Sequence, residues 1–153
     1  YDLKGHILED MGRFRESAEM YNKAIALDLG YEDLHLDRLR VLYNAGMYEE
    51  ALEEADILIG LDPDSDNYHY NRANILEKLG RYEEALREYE TACKAHRFFY
   101  GRFFGEYCIR KAMLLAKLGR CRDALKEVAK IKEYCRSYSD ECNTIIKMCD
   151  NAK

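Results

Sequence analysis

Residues 79–92 read LGRYEEALREYETA, and segments of the same pattern recur along the chain at nearly constant spacing. The related segments are MGRFRESAEMYNKA at 11–24, AGMYEEALEEADIL at 45–58 and LGRCRDALKEVAKI at 118–131. Their glycines, Gly12, Gly46, Gly80 and Gly119, are separated by 34, 34 and 39 residues. A period of this length predicts a repeat architecture in which each unit is one supersecondary element.

Each repeat is predicted to be a helical hairpin. Apolar residues recur three or four apart before each glycine, as in LHLDRLRVLYNAG at 34–46, which is the period of an α-helix. The glycine is expected to end this inner helix, and acidic residues such as those of YEEA begin the outer helix near its positive end. The first two outer helices are predicted to end at Gly30, as a C-terminal cap, and before Pro63.

The repeated segments resemble the tetratricopeptide repeat, most closely in LGRYEEALREYETA at 79–92 and AGMYEEAL at 45–52. The resemblance implies an all-α superhelix, a solenoid of antiparallel helix hairpins, forming a single domain over residues 1–153. The expected units are about 1–30, 31–65, 66–99 and 105–136. A C-terminal capping helix is expected at 138–151, with Ser137 or Ser139 as its N-cap.

In this family the inner helices line a concave groove that binds extended peptide, so the resemblance also implies a binding site. Four asparagines in it are expected to bond the ligand backbone, and Arg40 and Arg110 a ligand carboxylate. The groove positions carried onto this sequence are Leu36, Asp37, Arg40, Tyr43, Asn44, Asn67, Tyr70, Asn71, Asn74, Arg110, Met113 and Lys117, with Asp2, His6, Glu9, Asp10, Asp33, Glu77, Lys78, Glu106 and Ile109 beside them. The predicted function is a non-enzymatic scaffold or adaptor for a protein or peptide partner of unknown identity.

A clamp for the C-terminal peptide of heat-shock chaperones is a weaker alternative. That clamp uses lysines, asparagines and an arginine over three units. Only Asn71 and Arg110 occupy matching places here, because Leu36, Arg40 and Glu106 stand where the other clamp residues would be.

RNA binding through the C-terminal half is a second alternative. Residues 67–153 carry 18 bases and 12 acids, whereas residues 1–66 carry 6 bases and 17 acids. Interleaved arginines and aromatics in RFFYGRFF at 97–104 fit base stacking and phosphate contacts. The overall charge of −5 and the acidic groove positions disfavour a nucleic-acid partner.

The RFFYGRFF run lies where the spacing lengthens from 34 to 39 residues. The preferred interpretation is junction core, with an inner helix starting near Phe99 or Tyr100. On that interpretation Phe103 and Phe104 are buried, and replacing each with alanine costs about 3–5 kcal/mol. Phe98, Phe99 and Arg102 form the alternative, a secondary surface for a partner or for self-association.

The sequence carries no motif for catalysis, a cofactor or a metal. His35, His69 and Cys108 occupy equivalent places, but such residues on stacked units lie too far apart for one zinc ion and are expected to be interior. Cys135, Cys142 and Cys149 are seven apart, so on one helix they form an apolar stripe. No segment has the pattern of a signal peptide or a membrane span, and a reducing cytoplasmic location is predicted.

Overall fold

The computed structural model describes residues 1–27, 31–95, 104–134 and 138–151, with side chains at all of these positions except 31, 95, 104 and 132–134. The described residues fold into nine α-helices and divide into two compact units, unit 1 at Tyr1–Arg81 and unit 2 at Tyr82–Lys153. The helices are α1 (Asp2–Asp10), α2 (Phe14–Ile25), α3 (Tyr31–Asn44), α4 (Tyr48–Leu61), α5 (Asp66–Lys78), α6 (Tyr82–Ala95), α7 (Phe104–Lys117), α8 (Cys121–Tyr134) and α9 (Ser139–Asp150).

The repeated glycine ends each inner helix, as predicted. Gly12, Gly46, Gly80 and Gly119 have φ values of 71°, 75°, 73° and 75°. At the first of these ends Gly12 N–H donates to the Glu9 carbonyl at 2.7 Å and Arg13 N–H to the Leu8 carbonyl at 2.8 Å. This pair of bonds satisfies carbonyls that the helix leaves over, and the positive φ it requires suits a residue without a Cβ.

Helices α1 to α5 of unit 1 pack in chain order around an apolar core that includes Tyr21, Leu42 and Leu58, all with no exposed surface. The approach of α1 to α2 is close because Gly5 faces the Tyr21 ring, where a Cβ would lie 2.9 Å from Cζ. Ser17 also donates its hydroxyl to the Gly5 carbonyl at 2.7 Å.

In the next hairpin the side-chain sizes at the positions equivalent to Gly5 and Tyr21 are reversed. Leu39 and Ala55 occupy the places of Gly5 and Tyr21, 34 residues further on, and both are buried in the same core. A large inner residue therefore accompanies a small outer one here, and the combined volume is kept.

Unit 2 is organised around α7, which packs against α6, α8 and α9. Cys93 of α6 and Cys108 of α7 are joined by a disulfide with Cα atoms 5.5 Å apart, a pairing that sequence reasoning did not foresee. Cys142 and Cys149 are buried in α9, as expected for small apolar residues of a capping helix. The ring of Tyr138, at the start of α9, lies so close to Gly105 that a Cβ there would be 2.1 Å from it.

Some predicted boundaries are wrong. Helix α2 ends at Ile25 with Ala26 as its C-cap, before Gly30, because the next bond, from Leu27 N–H to the Ala24 carbonyl at 3.1 Å, closes a tighter i to i−3 turn. Gly30 itself lies outside the described residues. Helix α4 ends at Leu61, just before Pro63, as expected.

The start of α9 also differs from the expectation. Its N-cap is Tyr138, which makes no capping bond through its side chain, and Ser139 is the first helical residue. Helix α9 carries Cys142 and Cys149. Ser137 and Cys135 themselves lie outside the described residues, as does the segment 96–103 with Phe98, Phe99, Tyr100, Arg102 and Phe103; the side chain of Phe104 is also outside them.

Candidate functional site

The inner helices of unit 1, α1, α3 and α5, are connected to one another by polar contacts. Glu9 of α1 accepts a bond from Arg40 of α3, and Glu32 of α3 accepts one from the Tyr68 hydroxyl of α5. The inner face is the name used here for the groove positions on these three helices. In unit 1 they are Asp2, His6, Glu9 and Asp10 on α1, Asp33, Leu36, Asp37, Arg40, Tyr43 and Asn44 on α3, and Asn67, Tyr70, Asn71, Asn74, Glu77 and Lys78 on α5.

Some inner-face residues of α3 pack against the core of unit 1, and others are exposed to solvent. Leu36 and Tyr43 are partly buried against the core of unit 1, and the Tyr43 ring meets the Tyr48 ring edge-on with centroids 5.5 Å apart. Arg40 and Asn44 are exposed. Leu36 and Tyr43 therefore contribute to the stability of the unit as well as to its surface.

Arg40 already pairs with two carboxylates. Its Nη2 donates to Oδ1 of Asp37 at 2.8 Å, and its Nη1 donates to Glu9. Burial opposes the charge of the guanidinium, but the bond to Asp37 and the charge of Glu9 outweigh it and raise the Arg40 pKa. To bind Arg40 as predicted, a ligand carboxylate would have to displace Asp37 or Glu9. These two pairings could not be inferred from the sequence.

His6 lies between two carboxylates on the inner face. Its Nδ1 is 3.2 Å from Oδ1 of Asp2, and its Nε2 is 3.5 Å from Oδ2 of Asp37. The Tyr21 ring packs edge-on against the His6 ring with centroids 5.7 Å apart. Burial, followed by the charges of Asp37 and Glu9, raises the pKa of Tyr21 to about 12, so its hydroxyl stays protonated at neutral pH.

Three of the predicted asparagines share one side of α5. Asn67, Asn71 and Asn74 are spaced four and three residues apart, the spacing of neighbours on a helix surface. Asn67 is exposed, and Asn71 and Asn74 are partly exposed. Asn44 lies at the last position of α3.

The predicted site residues of unit 2 lie on α7. Arg110 and Lys117 are exposed and Met113 is partly exposed, and their spacings of three and four residues place them on one side of that helix. Ile109, a neighbouring groove position, is buried and belongs to the packing of the unit.

A charged cleft of about 310 Å³ lies between α6, α7 and α8 of unit 2, away from the predicted positions. Lys111 lines the cleft, with Nζ 3.3 Å from Oε1 of Glu127 and 3.8 Å from Oε2 of Glu90. The bond from Lys94 and the charge of Lys111 lower the pKa of Glu90. Lys111, Arg120 and Lys130 of this cleft pair with carboxylates of the same unit.

The Lys111 pairs repeat an arrangement in unit 1. Arg72 lies 39 residues before Lys111 and bonds to Asp56 of the preceding outer helix at 2.7 Å. In the same way, Lys111 lies close to Glu90 of the outer helix that precedes it. Arg38, a further 34 residues back, pairs with Glu54 of its own hairpin, as Lys111 pairs with Glu127. These bases and acids follow the spacing of the glycines, which is the signal that sequence reasoning missed.

The equivalently placed His35, His69 and Cys108 have different surroundings. His35 is buried, as expected, with Nδ1 2.6 Å from Oε2 of Glu54. His69 is only partly buried, contrary to expectation, because its Nε2 bonds to the Pro63 carbonyl at 2.9 Å in the turn before α5. Cys108 is buried in the disulfide.

Comparison with known families identifies the chain. The tetratricopeptide repeat model matches residues 3–66 and 36–98, which together are more than half of the 153 residues. The protein therefore belongs to the tetratricopeptide repeat family. No curated protein sequence matches it.

Solved structures show the same fold at low sequence identity. A tetratricopeptide repeat protein from Parabacteroides merdae superimposes with a TM-score of 0.83 at 18% identity, over 97% of this chain and 57% of that one. MamA from Desulfovibrio magneticus superimposes with a TM-score of 0.74 at 15% identity, over 88% of this chain and 73% of that one. YrrB, described as having an unusual peptide-binding site, superimposes with a TM-score of 0.67 at 16% identity, over 100% of this chain and 84% of that one.

In the described residues, no helix is long and apolar enough to cross a membrane. Family membership together with these neighbours supports a role as a protein-interaction scaffold.

Proposed function

We propose that the protein is a non-enzymatic adaptor that binds an extended peptide segment of a partner on the inner face. The observation that carries the proposal is the row of Asn67, Asn71 and Asn74 on one side of α5. Each amide offers a donor and an acceptor, so the row matches the alternating N–H and C=O groups of an extended backbone. Within unit 2, Arg110, Met113 and Lys117 of α7 are proposed as further ligand contacts.

The peptide-binding site named for YrrB supports the class of ligand. Because that protein is only 16% identical to this one, it supports the fold and the class and does not identify the peptide.

The test is a peptide-array screen followed by affinity measurement on the best sequence found. Asn71→Ala and Arg110→Ala should each weaken binding by about two- to tenfold, since a lost hydrogen bond is worth about 0.5–1.5 kcal/mol. Asn22→Ala, an exposed asparagine on the outer helix α2, is the matched control and should bind as the wild type does. Equal affinities of Asn71→Ala and the wild type would refute the inner-face site, and equal affinities of Arg110→Ala and the wild type would remove α7 from the proposal.

RNA binding is not supported by the surroundings of the bases in unit 2. Arg120 pairs with Glu83 and Asp123, and Lys130 pairs with Glu127. Bases held by carboxylates are poorly placed to neutralise phosphates.

The predicted cytoplasmic location also needs a test, since disulfides persist mainly in oxidising compartments. The Cys93–Cys108 bond therefore favours such a compartment. Alkylation of the thiols in denaturant at the moment of cell lysis, followed by mass measurement, decides the matter, because both cysteines are buried in the folded protein. Protection of both cysteines supports an oxidising location, and modification of both supports the cytoplasm.

A further inference from the structure

The cluster around His6 has the donor atoms of a metal site. Asp2, His6 and Asp37 each offer one ligand atom, and these atoms lie within 4.8 Å of one another. The distance of 3.5 Å between His6 Nε2 and Asp37 Oδ2 suits two ligands of one ion, because donors about 2.0–2.2 Å from a tetrahedral ion are separated by roughly that amount. Asp2 and His6, with 60% and 46% of their side-chain surfaces exposed, have room to adjust their rotamers.

A buried hydroxyl beside the cluster provides a second, independent observation. Tyr21 has no exposed surface, and its hydroxyl has no hydrogen-bond partner among the described residues. Its ring lies edge-on against His6, and its hydroxyl interacts electrostatically with the carboxylates of Asp37, Glu9 and Asp2. Since buried polar groups are nearly always bonded, a water molecule coordinated to an ion at the cluster would supply the missing partner.

The charge of the cluster fits a dication. Asp2, Glu9 and Asp37 contribute three negative charges, and Arg40, which pairs with Glu9 and Asp37, contributes one positive charge. The sum of these four charges is two negative charges, which a divalent ion would balance.

We propose that Asp2, His6 and Asp37 bind a divalent transition-metal ion of the Zn²⁺ type, linking α1 to α3. One imidazole nitrogen with carboxylate oxygens is a ligand set that such ions accept, and water would occupy the remaining positions. The other ring nitrogen of His6 would donate to a nearby acceptor and so fix the orientation of the ring.

The experiment titrates the metal-free protein with Zn²⁺ by calorimetry and with Co²⁺ by visible absorption, on wild type, His6→Ala, Asp37→Asn and the matched control His69→Ala. Wild type and His69→Ala should each bind one equivalent at the cluster, with a cobalt spectrum free of thiolate bands. His6→Ala and Asp37→Asn should each weaken this binding by at least about tenfold. Zn²⁺ should also raise the melting temperature of the wild type and not that of His6→Ala.

Several outcomes would overturn the proposal. These are no binding by the wild type at millimolar metal, a cobalt spectrum dominated by thiolate bands, or equal affinities for wild type and His6→Ala. Circular dichroism of each variant checks that the helices remain, so that weaker binding is not the result of unfolding.

Discussion

Glu54 of α4 accepts a hydrogen bond from His35 of α3 at 2.6 Å, in a place where the two side chains are only 1% and 5% exposed. The same carboxylate pairs with Arg38, so an acidic residue of an outer helix is held inside unit 1 by two residues of the inner helix. Burial, with the charge of Arg38, lowers the pKa of His35, and the neutral imidazole donates its Nδ1–H to the carboxylate. Three polar side chains thus join the two helices of one hairpin.

Replacing Glu54 should be strongly destabilising. Glu54→Ala leaves Arg38 as a partly buried charge without its carboxylate, and breaking such a pair typically costs about 3–5 kcal/mol. Glu19→Ala, at an exposed position of the outer helix α2, should change stability by less than about 0.5 kcal/mol. Urea unfolding followed by circular dichroism measures both. Similar midpoints for the two variants would show that the buried pair contributes little.

The lowered pKa of His35 predicts a pH dependence with a definite sign. Because the folded protein binds a proton at His35 less readily than the unfolded chain does, this residue's contribution is complete above the unfolded pKa of about 6.5 and is lost as the pH falls. The stability advantage of wild type over His35→Gln should therefore be smaller at pH 5.5 than at pH 7.5. An advantage that grows on acidification would mean that His35 is charged in the folded state.

Gly5 is expected to tolerate no larger residue. In Gly5→Ala the new methyl group meets the buried Tyr21 ring at 2.9 Å, so overpacking should outweigh the gain in helix propensity and cost about 1–2 kcal/mol net. Gly60→Ala in α4 is the matched control, because nothing lies within 4 Å of a Cβ there. It should be neutral or stabilising. Thermal melts compare the two, and equal melting temperatures would argue against the close α1–α2 approach.

The disulfide should stabilise unit 2. Cys93 and Cys108 are 15 residues apart, and closing a loop of that length removes about 3 kcal/mol of chain entropy from the unfolded state. The Cys93→Ala/Cys108→Ala variant should unfold at lower denaturant concentration than the oxidised wild type and should not respond to dithiothreitol. Cys121→Ala, outside the bond, should keep the wild-type response. A wild type that is insensitive to reductant would contradict this expectation.

The helices were predictable because their signals are local. Each glycine marks a helix end with a positive φ that few other residues adopt, and the apolar period before it is set by neighbours three and four positions away. The end of α2 was not predictable in this way, because its last turn closes at Ala26, which carries no distinctive signal.

The polar interior was harder to foresee. In the sequence Glu54 looks like a solvent-exposed residue of an acidic helix, and its burial becomes clear only when Arg38 is placed on the adjacent helix. The predicted role of Arg40 shows the same limit, since its pairing with Glu9 joins residues 31 positions apart. The inner-face residues were identified by repeat position, but their internal partners depend on tertiary contacts.

From the opposite sizes at Gly5 with Tyr21 and at the equivalent positions Leu39 and Ala55, we expect the first two hairpins to exchange halves poorly. Joining the inner helix that carries Leu39 to the outer helix that carries Tyr21 would overfill the interface, and joining Gly5 to Ala55 would leave a void. On this argument the side-chain sizes favour the pairing of each inner helix with its own outer helix. In a protein made of similar repeats, such a preference opposes mispairing between units.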